Sequence, residues 1–245
     1  MKDGQRIFGI RAIIEAIDAE QAINKVYLQK GLQGDLFQQL EGMLRKQKIS
    51  TSYVPIQKLD KLVHGNHQGA VASLSKIEFQ DFESTIESIL EREKSPLLLL
   101  LDQVTDVRNF GAIIRTAECT GVHAVIVPRS GSAPLNDIAI KTSAGAAFNI
   151  PIIKVDHLKD AIYYLQPSGV AIVAATEKAD KSVYDIDFKN PTAVVMGSEE
   201  KGINPSTLKV VDEMMKLPIK GKIESLNVSV ACGAILYEVL RQRIT

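Results

Sequence analysis

Short apolar runs recur along the second half of the chain, and helical patterns lie between them. The runs occupy residues 97–101, 124–127, 150–155, 170–174 and 193–196. Such runs are typical of strands that are buried on both faces of a parallel sheet. Apolar residues at helical spacing fill residues 109–120, 135–142 and 158–165. The alternation predicts a doubly wound α/β domain.

A shorter alternation occupies the front of the chain. Ile10, Ile13, Ile14 and Ile17 share one face of a predicted helix over residues 8–17. Strand patterns follow at 24–28, 51–54 and 69–74, with helical patterns at 32–48 and after Pro55. We therefore predict a small α/β domain over residues 1–76. An acidic linker over 77–95, which ends in an exposed helix, joins it to a large domain over 96–245.

Composition limits the possible classes only modestly. The 245 residues are 45% apolar and carry no net charge, which suits one large or two small soluble domains. Residues 1–80 hold 11 basic and 8 acidic side chains, an excess too small to indicate a nucleic-acid partner by itself. The start has no apolar signal core, and no apolar run approaches the length of a membrane span. We expect a soluble, cytoplasmic protein that does not bind membranes.

Neither the cysteines nor the histidines point to a bound metal. Cys119 and Cys232 fall in helical patterns and are expected to be small core residues. His64 and His67 lie close together, but no third ligand is near, and zinc sites need three or four. We predict a protein without a metal site.

Three stretches are candidates for chemistry, and the first follows the strand at 97–101. It contains Asn109, Gly111 and Arg115. Ligands of open parallel sheets bind beyond the carboxyl ends of the strands, which places this loop well. Gly111 would permit close approach of the backbone, and Arg115, four residues later, would project from the same helix face. An ordinary surface arginine is the alternative interpretation.

The second stretch follows the strand at 193–196 and contains Gly197, Glu199 and Gly202. Gly197 would let the backbone come close to a ligand. Taken alone, this G-x-E-x-x-G pattern also fits a strand-to-helix turn with solvated carboxylates. The chain has neither the G-x-G-x-x-G pattern of dinucleotide-binding enzymes nor a phosphate-binding GK[ST] loop.

The third stretch runs from an apolar segment ending in Leu217-Pro218, through a polar loop, to Ser225-Leu226-Asn227 and a helix. Asn227 is a good N-cap, and Val228, Ala231, Ile235 and Val239 repeat at helical spacing after it. Arg241 and Arg243 lie where cations suit the helix dipole. A buried C-terminal helix with an ordinary cap is the simpler interpretation. If the three strand ends are neighbours, the three loops meet at one pocket.

Together these stretches resemble motifs 1, 2 and 3 of the SpoU (TrmH-type) RNA ribose 2'-O-methyltransferases of the SPOUT class. Their order and spacing match over residues 97–243, and SLNVSVA is highly specific. The front, with IFGIRAIIEAI and HQGAVA, is similar to the small L30e-like RNA-binding domain of this family. The overall resemblance is greatest to the type that methylates a guanosine of bacterial 23S rRNA. A tRNA ribose methyltransferase is the alternative within the class.

The resemblance implies a fold and a cofactor that periodicity does not reveal. The C-terminal domain would form a deep trefoil knot, and the protein would be a homodimer whose active sites use residues of both subunits. S-adenosylmethionine would bind within the knot. The residues carried over to its pocket are Thr176, Met196, Gly197, Leu217, Pro218, Ile219 and Leu226.

The resemblance also implies catalytic and RNA-binding residues. Asn109, Arg115, Glu199, Ser225 and Asn227 would form the catalytic set. The resemblance implies that Arg115 is the general base; because a guanidinium rarely gives up its proton, stabilising an oxyanion or clamping a phosphate is the alternative role. Glu199 would hold Arg115 or receive the proton. RNA would be contacted by basic residues of the front domain and near the pocket, namely Arg6, Arg11, Arg45, Lys46, Lys48, Arg108 and Arg129.

Two other classes compete with this hypothesis. A non-catalytic RNA-binding ribosome modulator would not need Asn109, Arg115, Glu199 and Asn227 together. A nucleotide-binding oxidoreductase would need the glycine fingerprint and an acidic ribose partner, which this chain lacks.

Overall fold

The computed structural model describes residues 6–18, 21, 23–74, 77–222 and 225–244. The chain divides into two compact units, the first comprising residues 1–78 and 134–138 and the second residues 79–133 and 139–245. Both units are α/β. None of the helices in the described ranges combines the length and apolar composition needed to cross a lipid bilayer.

The first unit contains a four-stranded sheet in the order β1-β4-β2-β3. Its elements are β1 (Arg6–Phe8), α1 (Ile10–Asp18), β2 (Ile23–Gln29), α2 (Asp35–Lys46), β3 (Thr51–Val54), α3 (Ile56–Leu62) and β4 (Ala70–Leu74). β4 runs antiparallel to β1 and β2, whereas β2 and β3 are parallel. Ile13 and Ile17 of α1 pack with Leu40 of α2 in the core. The helix predicted over 8–17 starts later because Gly9, with φ +94°, separates it from β1.

The second unit contains a six-stranded, fully parallel sheet in the order β10-β8-β9-β5-β6-β7. The strands are β5 (Leu97–Leu101), β6 (Ala124–Pro128), β7 (Ile152–Val155), β8 (Ala171–Ala175), β9 (Thr192–Met196) and β10 (Glu213–Met215). The helices are α4 (Phe82–Arg92), α5 (Val107–Cys119), α6 (Asp137–Thr142), α7 (Leu158–Leu165), α8 (Pro205–Leu208) and α9 (Val228–Ile244). The predicted parallel α/β class is confirmed.

The strand order reverses its direction between β5 and β9. The chain passes from β5 outward through β6 and β7, then crosses to build β8 and β9 on the other side of β5. Loops that leave the carboxyl ends of β5 and β9 therefore diverge, and ligands of open α/β sheets bind at such a switch point. The first and second candidate stretches are these two loops. The trefoil knot stays a prediction.

The helix expected to be exposed at the end of the linker is partly buried. Asp81 caps α4 by accepting hydrogen bonds from the Ser84 amide at 3.0 Å and the Ser84 hydroxyl at 2.7 Å. Ile86 is fully buried in the core of the second unit, and Phe82 packs edge-on against Tyr164 at 5.2 Å. The helix is thus amphipathic and covers the sheet, because its acidic residues lie on one face only.

The cysteine prediction is half correct, and His67 has a structural role. Cys232 is buried, and burial raises the pKa of its thiol to about 12. Cys119, expected in the core, is exposed because it is the last residue of α5. His67 is buried, with Nδ1 accepting from the Gly69 amide at 3.0 Å and Nε2 2.9 Å from Asp60. Within the described ranges, no three His, Cys, Asp or Glu side chains are grouped to hold a metal.

The end of α9 is tied to the second unit by two networks. In the first, Arg241 makes two 2.8 Å hydrogen bonds to Glu238, and Gln242 donates to Glu238 at 2.8 Å. These bonds, led by those from Arg241, lower the pKa of Glu238 to about 2. In the second, the Arg243 guanidinium donates to four backbone carbonyls, those of Ser95, Pro96, Phe188 and Asn190, at 2.7 to 3.4 Å. Burial lowers the pKa of Arg243.

Replacing Arg243 by methionine is expected to lower the free energy of unfolding by about 2 kcal/mol. Hydrogen bonds to a charged group each contribute about 1.5–3 kcal/mol, but part of this loss is offset because some of the released carbonyls bind water instead. Urea denaturation measures the change. Arg92→Met on α4 is the matched control, since Arg92 is exposed and makes no recorded contact among the described residues. Equal losses of unfolding free energy for the two substitutions would show that the four hydrogen bonds of Arg243 do not stabilise the fold.

Glu238 is expected to make the free energy of unfolding depend on pH in the acidic range. Its folded-state pKa lies below the ordinary 4.5, so its contribution is complete above about pH 4.5 and is lost as the pH falls toward 2. The difference in unfolding free energy between the wild type and Glu238→Gln should therefore shrink over this window in a pH series of urea titrations. A difference that stays constant would refute the pKa assignment; Glu91→Gln, at an exposed position of α4, is the control.

Candidate functional site

Glu199 joins the three candidate stretches through one carboxylate oxygen. Its Oε1 accepts from the Asn109 side-chain amide at 3.1 Å, from the Val228 backbone amide at 3.0 Å and, closely, from the Asn227 side-chain amide. The Asn227 amide also donates to Oδ1 of Asn109 at 3.1 Å. Residues 90 and 28 positions from Glu199 along the chain thus meet at one atom.

Two helix N-termini place the asparagines. Asp106 caps α5, accepting from the amides of Arg108 at 2.9 Å and Asn109 at 2.8 Å, which fixes Asn109 in the first turn. Asn227 caps α9 as predicted, since its Oδ1 accepts from the Ser229 amide at 3.0 Å. The N-termini of two helices therefore lie beside Glu199, so their partial positive charges face its side chain.

A tight turn after β9 positions Glu199. Ser198 and Gly202 exchange backbone hydrogen bonds of 3.1 and 2.9 Å, which closes the turn. A Cβ on Gly197 would lie 2.2 Å from the carbonyl carbon of Gly202. The turn therefore needs a residue without a Cβ at this position, and the expectation that Gly197 lies close to a ligand stays a prediction.

A cleft of about 420 Å³ opens beside this turn, beyond the carboxyl ends of β8, β9 and β10. Six of the seven predicted cofactor residues line it: Thr176, Met196, Gly197, Leu217, Ile219 and Leu226. Pro218 is not part of the lining. Ser225 and Glu199 also lie on its wall. Residues 223 and 224, in the predicted polar loop, lie outside the described residues.

The lining combines an apolar strip with charges of both signs. The charged side chains are Glu177, Lys178, Glu199, Glu200, Lys201 and Lys216. Val228, Ala231 and Ile235 of α9 form part of the apolar wall. Among these charged and α9 residues, only Glu199 is a predicted site residue. The helical spacing of the α9 residues is the sequence signal that could have indicated the apolar wall. Such a lining suits a ligand with a flat apolar part and a charged amino-acid part.

Arg115 is not part of this cluster. It is exposed on α5, and within the described ranges its guanidinium makes no recorded hydrogen bond or ion pair. It follows Asn109 by six residues, so the two side chains leave the helix about 120° apart. Gly111, expected to share a face with Arg115, is buried against α6, where a Cβ would lie 2.6 Å from the Ala139 carbonyl oxygen. The predicted contact between Glu199 and Arg115 is therefore absent from this protomer.

The predicted RNA-binding residues have different environments. Arg6 is half-buried and donates to the Leu62 carbonyl at 2.7 Å, so part of its role is structural. Four basic residues of the first unit are exposed, namely Arg11, Arg45, Lys46 and Lys48. Arg108 is exposed next to Asn109. Arg129 is exposed and ion-paired with Asp156 at 3.4 Å.

The outer face of α9 carries an exposed apolar stripe. Val230, Tyr237 and Ile244 repeat at helical spacing and are 57%, 58% and 74% exposed. Ala234 lies between them. The helix therefore presents apolar residues on both sides, although only its inner side packs on its own protomer.

The second unit is thus an open-sheet α/β domain with a ligand cleft beside its switch point. Residues 96–237 match the SpoU rRNA Methylase family, and residues 6–80 match the RNA 2'-O ribose methyltransferase substrate-binding domain. The chain is 41% identical over 239 residues to the 23S rRNA (guanosine-2'-O-)-methyltransferase RlmB of Yersinia pestis, covering 97% of both chains.

Two solved structures are also similar. The SpoU methyltransferase AviRb of Streptomyces viridochromogenes has 25% identity and a TM-score of 0.62, with 98% of this chain and 89% of that chain covered. The TrmH/SpoU tRNA modifying enzyme of A. aeolicus has 31% identity and a TM-score of 0.57, covering 65% of this chain and 84% of its own. The chain belongs to the SpoU family and is an RNA methyltransferase, which confirms the predicted family.

Substituting Asn227 is expected to separate its capping role from its role in the cluster. Asn227→Ala removes the N-cap of α9 and should cost about 1 kcal/mol of unfolding free energy. Asn227→Ser keeps a capping oxygen but loses the amide that donates to Glu199, so its unfolding free energy should stay closer to that of the wild type. Urea denaturation compares them, and equal losses would show that the cap is unimportant.

Proposed function

We propose that this protein transfers the methyl group of S-adenosylmethionine to the ribose 2'-hydroxyl of a guanosine in 23S rRNA, in the cytoplasm. The observation that carries the proposal is a hydrogen-bonded cluster of one carboxylate, Glu199, and two amides, Asn109 and Asn227. It lies at the rim of a cleft whose residues suit the cofactor. The rRNA substrate is inferred from the Yersinia pestis 23S rRNA (guanosine-2'-O-)-methyltransferase, which is similar over nearly its whole length.

The cleft residues fit S-adenosylmethionine by their chemistry. Met196, Leu217 and Leu226 offer apolar surface for the adenine ring. Acidic and basic side chains on the same walls match the ammonium, carboxylate and sulfonium charges of the ligand. When bound, the cofactor supplies an electrophilic methyl group.

Glu199 orients the substrate and accepts its proton. Its Oε1 is occupied by three N–H donors, whereas Oε2 makes no recorded hydrogen bond among the described residues. That oxygen is free to accept a hydrogen bond from the ribose 2'-hydroxyl, which orients the attacking oxygen and gives its proton a destination. Ser225, exposed on the cleft wall, positions the ribose.

A second copy of the chain completes the site. The exposed stripe of Val230, Ala234 and Tyr237 suits an isologous contact with its counterpart, since a stripe of this kind is otherwise left in water. Arg115 points away from the cluster of its own protomer and, among the described residues, makes no recorded hydrogen bond or ion pair. In a homodimer it serves the site of the other protomer, where it clamps a phosphate or stabilises the developing oxyanion.

RNA is held by exposed cations of both units. Arg11, Arg45, Lys46 and Lys48 lie on the small unit that matches the substrate-binding domain, and Arg108 lies beside the cluster. Arg6 and Arg129 join this set when RNA phosphates replace their present partners, the Leu62 carbonyl and Asp156. Binding through phosphate contacts weakens steeply as salt rises.

Transfer of labelled methyl groups tests the proposed reaction. With radiolabelled S-adenosylmethionine and rRNA lacking ribose methylation, the wild type should label 23S rRNA at a guanosine 2'-oxygen. Glu199→Gln should lower kcat by about 10²-fold or more, because general-base catalysis contributes about 10²–10⁴. Label only in tRNA would overturn the rRNA assignment and favour the tRNA alternative, which the similarity to the A. aeolicus tRNA modifying enzyme supports. Label in neither RNA would contradict the proposed reaction.

Mixed dimers test the shared site. Arg115→Ala and Asn227→Ala homodimers should each be inactive. A heterodimer of the two, isolated with two affinity tags, should recover roughly half of the wild-type activity, because one of its two sites has every residue intact. A heterodimer without activity would show that Arg115 and Asn227 act in the same protomer.

A further inference from the structure

A second cleft, of about 170 Å³, lies at the same edge of the sheet as the first, beyond the ends of β5, β6 and β7. Its walls come from the loop after each of these strands and from the start of α8. The residues that matter below are Asp102, Gln103, Ser130, His157, Lys159 and Ser206. The reaction proposed above uses none of them.

Asp102 forms the buried end of this cleft. The residue is 6% exposed, and its Oδ2 accepts from the Asn204 amide at 2.9 Å. Its Oδ1 makes no recorded hydrogen bond within the described part of the chain. A carboxylate that faces a small cleft with an oxygen to spare is an acceptor for a ligand that presents N–H groups.

The walls above Asp102 carry polar groups without partners. Among the described residues, no recorded hydrogen bond or ion pair uses the side chains of Gln103, Ser130, His157, Lys159 or Ser206. Gln103 also has φ +60°, an uncommon conformation for a residue other than glycine. Backbone strain of this kind is concentrated at ligand sites. The cleft is therefore a concave, polar site whose groups are available to a ligand.

The two clefts share structural elements. The Asp102 amide donates to the Met196 carbonyl at 2.8 Å, and Met196 lines the first cleft. Asn204, bound to Asp102, lies two residues after the turn of Gly197 to Gly202 that holds Glu199. An RNA whose ribose lies beside Glu199, at the rim of the first cleft, therefore has the second cleft within reach along the same sheet edge.

We propose that the second cleft binds one guanine base of the RNA substrate. Guanine presents N1–H and the 2-amino group side by side, so it offers Asp102 two donors, whereas adenine, cytosine and uracil each lack that pair. The amide of Gln103 and the hydroxyls of Ser130 and Ser206 complete the polar contacts. Lys159 lies on the wall where it can meet the phosphate. This inference rests on the proposed function only for the identity of the polymer.

Binding of mononucleotides tests the inference without methyl transfer. The full-length protein, with S-adenosylmethionine present to fill the first cleft, is titrated by calorimetry with GMP, IMP and AMP. GMP should bind at least about tenfold more tightly than IMP, which lacks the 2-amino group, and AMP. Equal affinity for all three would overturn the proposal.

Three variants locate the binding. Asp102→Asn should abolish the preference for GMP. Because Asp102 is buried and its replacement can disturb folding, Gln103→Gly is the second variant: glycine tolerates the positive φ, and only the amide is lost. It should weaken GMP binding several-fold and raise the KM for RNA while leaving kcat near that of the wild type. Lys189→Ala, an exposed lysine that precedes β9 at the opposite edge of the sheet, is the control and should change neither.

The outcomes separate the two proposals. If GMP binding is insensitive to both Asp102→Asn and Gln103→Gly, the second cleft is not a guanine site, whether or not the wild type methylates RNA. If GMP binds as expected but no RNA is methylated, the guanine site stands and the proposed reaction fails.

Discussion

The arrangement of the site depends on one oxygen atom of Glu199. Three N–H groups from the starts of α5 and α9 donate to this oxygen. Without it, the first turns of the two helices would have no shared hydrogen-bond acceptor. A carboxylate is the side chain best suited to this position, because it accepts several hydrogen bonds and its charge opposes the positive ends of both helix dipoles. Methyl transfer needs rigid positioning, and this junction supplies it through two side-chain amides and one backbone amide.

The opposite end of α9 reinforces that positioning. Arg243 binds carbonyls of the segments that lead into β5 and β9, while Asn227 and Val228 are held by Glu199. The helix is thereby fixed at both ends along the sheet that carries the cleft. Residues between those ends divide into an inner side, which lines the cleft and the core, and an outer apolar side, which we assign to the second protomer.

Much of the fold could be predicted because its strands are buried on both faces. The uninterrupted run of Leu97–Leu101 has no polar position, which is the pattern of a central parallel strand. β1, β10 and α8 were missed, since three or four residues show no period. The burial of Ile86 was missed as well, because the many acids of α4 obscured its single apolar face.

The site was only partly predictable, for a different reason. The N-cap of Asn227 is a local feature, so the sequence predicts it. The hydrogen bond between Asn109 and Glu199 joins residues 90 positions apart, and no local pattern reveals it. The direction of Arg115 could have been found from the sequence, since a spacing of six residues separates two side chains on a helix by about 120°. The sequence marks Gly111 and Gly197 as sites of close approach, and protein backbone lies against both, while Gly197 also lines the cleft.

A double-mutant cycle on Asn109→Ala and Glu199→Ala, measured as kcat/KM for methyl transfer, tests the central claim most directly. If the two side chains act as one unit, the second substitution should cost far less in the presence of the first, with a coupling energy of about 1 kcal/mol or more. Losses that add within about 0.3–0.5 kcal/mol would show that the two side chains act independently and would contradict the account.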